Sequence, residues 1–387
     1  MMNKLKHRLL ASSVFAASLI AIFAGLFVGF IILLITNPDQ AVDGFVTILK
    51  GGFTGGAKGI GNIFYLATPI IMTGLSVGFA FKTGLFNIGA SGQLIVGGYV
   101  AVLIGVLAPG LGSFHWVIAL IGGMAAGALW AFIPGLLKAL FNVHEVISSI
   151  MMNYIGMFMV NALVAETVFD SLRAQSLPVA QSAQMPTLGM DTLFKGSSVN
   201  AGIFVAILFV IVLYIILNKT TFGYELKACG FNKDASRYAG INAKRNIILS
   251  MTIAGAMAGV AGGLIYLAGS GKFIEIVDVL AMEGFTGISV ALLASSNPIG
   301  VLFTGIFVSY ITNGGFYMQL YDFVPEIIDI IISIIIYFSA LALIVRHFFD
   351  RYALKSGLGD DDIPAPKVEP KRKRRIGLKN KEVDKDE

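Results

Sequence analysis

Long apolar segments recur along the chain, and their length restricts the folds that it can adopt. A bilayer core needs roughly 20 apolar residues in a helix to cross it. Every backbone N–H and C=O in hydrocarbon must also find a partner, which favours helices. The sequence therefore predicts an all-α, polytopic membrane protein with about ten transmembrane helices, some of them broken or re-entrant. The predicted spans are 9–35, 63–81, 92–109, 115–139, 147–165, 199–218, 247–269, 284–296, 298–320 and 326–345.

Two of these segments have unusual lengths. The first, 9–35, is much longer than the apolar region of a signal peptide, which is roughly 7–15 residues, so we expect an uncleaved span. The segment 284–296 is too short to cross a bilayer. Either Pro298 kinks one longer element or the short piece is re-entrant. The segment 36–62 is polar and is predicted to lie outside the spans.

The amino-acid composition agrees with a membrane protein and argues against a disulfide-bonded protein, a cysteine metal site and an enzyme. The 387 residues are 56% hydrophobic and only 13% charged, and 45 are glycines, which let transmembrane helices approach closely. With Cys229 as the single cysteine, no intrachain disulfide and no cysteine metal cluster can form. We find no paired catalytic carboxylates, no nucleophile with a base, and no metal motif, so the chain is predicted not to be an enzyme.

Basic residues set the predicted orientation. All of the 28 lysines and arginines except five lie on the side that ten spans give to both termini, which predicts that both termini are cytoplasmic. We expect residues 1–355 to form the transmembrane domain and 356–387 a disordered cytoplasmic tail. Its basic run, 371–375, is predicted to contact anionic lipid, not nucleic acid. The five exceptions are Lys50, Lys58, Arg173, Lys195 and Lys272.

The stretch 73–105 is the first candidate site. A membrane-grade helical pattern is interrupted by polar residues and glycines and then resumes, and irregular backbone at membrane depth is packed in protein or lines a water-filled cavity. This favours a pathway through the membrane. A plain turn at the inner surface, with Lys82 extending to lipid headgroups, is the alternative. The polar residues predicted to line the pathway are Asn87, Gln93, Asn153 and Tyr154.

Other polar patterns have simpler interpretations. The glycine-rich segment 51–61 lacks the Gly-Lys-Ser/Thr ending of a phosphate loop, so we predict no nucleotide site there. Glu145 belongs to no zinc motif and is expected to cap a helix or to pair with a cation of the 220–246 loop. Asp329 lies in an apolar run, where a carboxylate suggests function. Glu326 stands one turn before it, which favours a position at the outer interface.

The loop 220–246 is the second candidate site. Asn232 is a good N-cap, two helical turns follow, and Gly240 stands where glycine ends a helix. Such a short helix needs a surface to pack on. It is either an amphipathic loop on the membrane interface or a surface for a soluble partner, with Lys233, Arg237 and Tyr238 as anchors.

Four motifs in order, GLFNIGASGQLIVGG (84–98), HEVISSIMMNYI (144–155), FGYELKACGFNKDASRYAGINAKRNI (222–247) and GISVALLASSNPIGV (287–301), resemble the permease subunits of ABC importers. The group includes ribose, branched-chain amino acid and nucleoside systems, and the second motif is most similar to the nucleoside and simple-sugar branch. Many relatives have Glu where this chain has Ser91, which leaves Asn87 and Gln93 as the better pathway candidates.

The resemblance implies a type II-like importer architecture, with two pseudo-related halves around the 220–246 loop. The helix at 232–240 would be a coupling helix that enters a cytoplasmic ATPase. ATP would be used by that partner, and this chain would bind no cofactor. A binding protein would deliver a nucleoside, or a related sugar, to the outer face, and a second, different permease would complete a heterodimer.

An ion-coupled secondary transporter is the alternative from another class, because broken helices suit that mechanism equally well. Few carboxylates lie within the predicted spans to relay protons. The 220–246 loop favours the ATP-driven importer.

Overall fold

The computed structural model of the chain describes residues 22–269, 271–324, 326–335, 337 and 338. Most of these residues are helical, and the strands among them are a two-residue pair, β1 Phe169–Asp170 and β2 Gln175–Ser176. The helices are α1 Ile22–Thr36, α2 Ala41–Lys50, α3 Gly56–Lys82, α4 Ala90–Leu107, α5 His115–Phe141, α6 Glu145–Thr167, α7 Met190–Leu193, α8 Gly202–Lys219, α9 Thr221–Phe231, α10 Lys233–Tyr238, α11 Ala243–Tyr266, α12 Met282–Leu293, α13 Pro298–Met318 and α14, described over 326–335.

Seven helical segments of the described part are long and apolar enough to cross a membrane, and α1 and α12 are shorter apolar helices. The prediction of an all-α polytopic chain is confirmed. Each predicted span overlaps a helix in the described residues, although some span ends, such as 199–201 and 267–269, are not helical. The start of the first span, the end of the last span and the predicted tail lie outside the described residues.

The segment 36–62, which is predicted to lie outside the spans, is largely helical. It contains α2, a 3-10 turn at Gly51–Gly55 and the first turns of α3. The glycines permit close packing here: a Cβ on Gly59 would overlap the Gly52 carbonyl, and a Cβ on Gly51 would overlap the Tyr310 ring of α13. Glycine therefore serves helix contact in this segment, although it is a poor helix former.

Glycines also form the contact between α4, α5 and α11. A Cβ on Gly259 of α11 would overlap the carbonyl oxygen of Gly123 in α5, and one on Gly97 of α4 would overlap Gly259. Gly127 and Gly255 repeat this contact one turn along, so each helix presents small residues four positions apart. In a membrane, where lipid competes for apolar surface, such backbone approach supplies the packing energy between helices. We call these five residues the glycine seam.

The α12–α13 region is two helices, which excludes the alternative of one element kinked by Pro298 and leaves the alternative of a short re-entrant piece. Ser295 and Ser296 have left-handed φ values of 51° and 55°, and Asn297 caps α13 through its side chain, 3.0 Å from the Ile299 N–H. Pro298 occupies the first turn of α13, where its missing N–H costs nothing. The 12 residues of α12 span only about 18 Å, which is too short to cross the membrane.

Candidate functional site

The interruption after Lys82 is a turn followed by an extended segment that runs back into the protein. Gly84, with φ of 73°, ends α3, and the N–H of Leu85 bonds the Ala80 carbonyl at 3.1 Å. This bond and that of Gly84 to Phe81 form a Schellman motif. The Asn87 side chain then lies 3.5 Å from the Ser76 hydroxyl, about two turns inside the end of α3. Residues 85–89 are therefore re-entrant, and α4 begins inside the protein.

Side-chain amides stabilise this re-entrant segment. Asn87 and Gln93 bond to each other twice, each donating to the other's carbonyl oxygen at 2.9 and 3.0 Å. Asn153 of α6 joins the segment to α4, because its amide donates to the Ile88 carbonyl at 3.0 Å and its oxygen accepts from the Gly92 N–H at 2.8 Å. Backbone that has left the helix is thus hydrogen-bonded without water, as hydrocarbon surroundings require.

The four predicted pathway residues are not brought to one surface. Asn87, Gln93 and Asn153 are buried, and their amides bond within the protein. Tyr154 is the next residue on α6 and is 51% exposed on the opposite face. Contact of these residues with a transported molecule remains a prediction. Ser91, also buried, donates to the Ala281 carbonyl at 2.8 Å.

That last bond brings two helix N-termini together inside the protein, because Ser91 opens α4 and Ala281 precedes α12. A Cβ on Gly284 of α12 would lie 2.5 Å from the Ser91 Cα, so the two backbones are in contact. From this point α12 runs beside α3 toward Lys82, and α4 runs the other way. Helix N-termini that meet inside the protein are typical of transporter folds.

Two neighbouring cavities lie toward the N-terminal end of α3. One has a volume of about 290 Å³ and the other about 390 Å³. Both are lined by Tyr65 and Leu66 of α3, Thr312 of α13 and Asp329 of α14. Tyr65 precedes Lys82 by 17 residues, or about 25 Å of helix. We call this pair of cavities the α3–α14 chamber.

Among the residues that line the chamber, Asp329 is the one that the sequence marks most clearly. The carboxylate in an apolar run was its signal, whereas Tyr65, Thr286, Ser289 and Thr312 have none, because isolated polar residues occur throughout the spans. Near the chamber wall, Lys272 lies 3.6 Å from Glu283 and forms an ion pair with it.

The predicted roles of Glu145 need correction. His144, not Glu145, caps α6, because its ring nitrogen accepts from the Val146 N–H at 3.3 Å. Glu145 pairs with Lys138 at the end of α5, at 2.8 Å, and not with a cation of the 220–246 loop. Lys138 lies seven residues before Glu145, so the pair closes the short α5–α6 connection.

The 220–246 loop folds as two helices, α9 and α10, and the predicted caps of the second are confirmed. The Asn232 side chain accepts from the N–H groups of Asp234 and Ala235, and Gly240 has φ of 82°. Gly240 and Ile241 close a second Schellman motif by bonding the Arg237 and Ser236 carbonyls, each at 3.0 Å.

One face of α10 is buried and the other is free for a partner. Ser236 is buried and its hydroxyl lies 3.5 Å from the Cys229 sulfur of α9. Tyr238 is 95% exposed and Phe231, at the α9–α10 junction, is 91% exposed. Large exposed aromatic side chains next to Arg237 and Lys233 are the residue types that anchor protein interfaces. We call this the α9–α10 surface.

The α9 helix touches the turn that ends α3 and precedes the re-entrant segment. A Cβ on Gly230 would lie 2.5 Å from the Lys82 carbonyl oxygen and 3.0 Å from the Gly84 nitrogen. The Lys82 side chain donates to the Ser295 carbonyl at 3.1 Å, just beyond the end of α12. The ends of α3, α9 and α12 therefore meet at one place, and the Lys82 side chain bonds to protein there.

The chain is similar in sequence to known transporter permeases. Residues 59–340 match the family model described as branched-chain amino acid transport system / permease component. The guanosine ABC transporter permease protein NupP of Bacillus subtilis is 39% identical to this chain, covering 92% of it and 99% of NupP. The nucleoside ABC transporter permease protein NupB of Lactococcus lactis is 38% identical, covering 85% of this chain and 91% of NupB.

More distant relatives include the glucose ABC transporter permease protein TsgB13 of Haloferax volcanii, 31% identical over 87% of this chain and 89% of TsgB13. The same Lactococcus and Bacillus strains each have a further such permease, for nucleosides and guanosine respectively, that is 24% identical to this chain. No solved structure gave a significant match. No comparison supports the ion-coupled alternative. The chain therefore belongs to the permease-component family of branched-chain amino acid transport systems, and is a multi-pass cell-membrane subunit of an ABC transporter and not an enzyme.

Proposed function

We propose that the chain imports nucleosides as one permease subunit of an ATP-driven transporter. Similarity to a guanosine permease along nearly the whole length of both chains carries this proposal. The α3–α14 chamber supports it, because its two cavities combine an aromatic ring with hydroxyls and a carboxylate. A nucleoside offers a flat base and ribose hydroxyls to such a lining. A related sugar is the second candidate, favoured by the glucose permease relative.

The α9–α10 surface is the proposed docking site for a cytoplasmic ABC ATPase. The exposed aromatic residues and the two basic side chains, Lys233 and Arg237, support this assignment. In this proposal ATP is bound and hydrolysed by that partner, and this chain binds no cofactor. Movement of the ATPase would reach α9 and the turn at Gly84 through the backbone contact with Gly230.

The remaining partners complete the proposed complex. A second permease of different sequence forms a heterodimer with this chain, as the presence of two such permeases in Bacillus subtilis and in Lactococcus lactis suggests. A binding protein delivers the nucleoside on the outer side. Lysines and arginines concentrated at the α9–α10 end support a cytoplasmic position for that end and for both termini.

The test of this function is uptake by the reconstituted transporter. Proteoliposomes that contain both permeases, the ATPase and the binding protein are expected to accumulate radiolabelled guanosine or uridine only with ATP. Sodium and proton gradients are collapsed in the assay, so accumulation cannot come from ion coupling. Uptake that runs without ATP when a sodium or proton gradient is imposed would contradict the proposal.

A substitution on the α9–α10 surface tests ATPase docking. We expect Tyr238→Ala to reduce copurification of the ATPase about tenfold or more, since a buried aromatic anchor is typically worth 2 kcal/mol or more. Insertion into the membrane should not change, because Tyr238 makes little contact within its own chain. Phe53→Ala is the control, since Phe53 is also exposed but lies in the 3-10 turn before α3, away from α9. Equal copurification for both variants would place the docking site elsewhere.

A further inference from the structure

Asp329 is the residue of the α3–α14 chamber that points most directly to a ligand. It lies in the wall shared by the two cavities, together with Tyr65 and Thr312. Isoleucines surround it in sequence, and Ile328 and Ile331 pack against glycines of α13 and α1. An ionisable group on such a helix is costly and is retained for a specific contact.

No hydrogen-bond donor or cation of the described residues pairs with the Asp329 carboxylate. The nearest charged pair in the chamber, Lys272 and Glu283, is already complete at 3.6 Å. Asp329 is exposed to the chamber, so both of its oxygens can accept hydrogen bonds from a molecule that enters. An ionised carboxylate accepts only, and two neighbouring hydroxyl donors match its two oxygens.

We propose that Asp329 binds the vicinal 2′ and 3′ hydroxyls of a ribonucleoside as it passes through the α3–α14 chamber, and that the Tyr65 ring contacts the base. The inference rests on the proposed function and states that this chain recognises the ribose of the substrate. Uncharged hydroxyls suit this site for two reasons. A hydrogen bond to a carboxylate is stronger than one between neutral groups. A neutral nucleoside also brings no charge of its own across the membrane. Acidic residues bind ribose hydroxyls in the same way in dinucleotide-binding folds.

The experiment compares Asp329→Asn with the unchanged transporter on two substrates, uridine and 2′,3′-dideoxyuridine. Each is presented by the same saturating binding protein, and uptake is expressed as the ratio of unchanged to variant transporter. The selectivity of the binding protein cancels in each ratio. We expect a ratio of about 10 to 100 for uridine, the loss of one or two charge-assisted hydrogen bonds, and a ratio near one for the dideoxynucleoside.

The control is Glu326→Gln, one turn earlier on α14, which removes a carboxylate that does not line the chamber. It is expected to give a ratio near one for both substrates. Equal ratios for uridine and dideoxyuridine in Asp329→Asn would overturn the inference and leave nucleoside import intact. Failure of the unchanged transporter to import any nucleoside with ATP would instead remove the proposed function.

A labelling measurement covers the case in which Asp329→Asn does not assemble. Ser333→Cys, which also lines the chamber, is made in a Cys229→Ser background and treated with a membrane-impermeant thiol reagent. Millimolar uridine is expected to slow this labelling at least threefold and to leave Gly110→Cys, on an exposed loop, unaffected. Labelling of position 333 at the same rate with and without uridine would show that the nucleoside does not occupy the chamber.

Discussion

Gly259→Leu is expected to leave almost no folded protein in the membrane. Position 259 lies at the centre of the glycine seam, where even a Cβ would overlap the Gly123 carbonyl oxygen. The obstacle is backbone on both sides, so no side chain can move away to make room. Overpacking of a well-packed core costs about 1–3 kcal/mol, and a full leucine against backbone should reach or exceed the upper value. Detergent-solubilised protein, followed by fluorescence-detected size exclusion and thermal unfolding, measures the loss.

Gly110→Leu is the matched control, because nothing lies within 4 Å of a Cβ built there. It should express and unfold as the unchanged chain does. Gly259→Ala should lie between the two variants, with a smaller but measurable fall in Tm. Unchanged elution and Tm for Gly259→Leu would mean that α4, α5 and α11 do not approach each other as closely as the structure shows.

Asn153→Leu is expected to have the second largest effect. The substitution keeps the number and branching of the side-chain heavy atoms but leaves the Ile88 carbonyl and the Gly92 N–H without their partner. Each buried polar group left unpaired costs about 1–3 kcal/mol, so the expected loss is about 2–6 kcal/mol. The re-entrant segment should then open locally, and proteolysis or hydrogen exchange at residues 85–92 should increase several-fold.

Asn153→Asp separates the two bonds, because a carboxylate can still accept from Gly92 but cannot donate to Ile88. It should be less stable than the unchanged chain at neutral pH for this reason and because its charge is buried. Tyr154→Phe, one residue along and on the exposed face of α6, should leave exchange at 85–92 unchanged. Equal exchange in Asn153→Leu and Tyr154→Phe would exclude the proposed role of Asn153 in stabilising the segment.

Local signals in the sequence predicted part of this structure well. The length of the apolar segments alone predicts the long helices, because a helix must have a minimum length to cross the bilayer. Asn232 and Gly240 gave both ends of α10, since caps depend on only a few neighbouring residues. The helical character of 41–62 was missed because its glycines pack against α13, more than 240 residues away in the chain.

The candidate site was harder to predict for the same reason. Asn87 and Gln93 are polar residues in an apolar region, and a sequence does not show that they satisfy each other. Tyr65, Thr312 and Asp329 come from three separate helices, so only the tertiary fold reveals that they share a wall. Polarity within a span thus identifies residues that need a partner, but not whether that partner is protein or a passing solute.

The contact between Gly230 and Gly84 has a mechanical consequence. Side chains at an interface can change rotamer and absorb a small displacement before the neighbouring helix responds. Main chain meets main chain here, with no rotatable group between them. A shift of α9 by a fraction of an ångström must therefore displace the end of α3 by a similar amount. A methyl group added at either glycine would separate the two backbones and weaken this coupling.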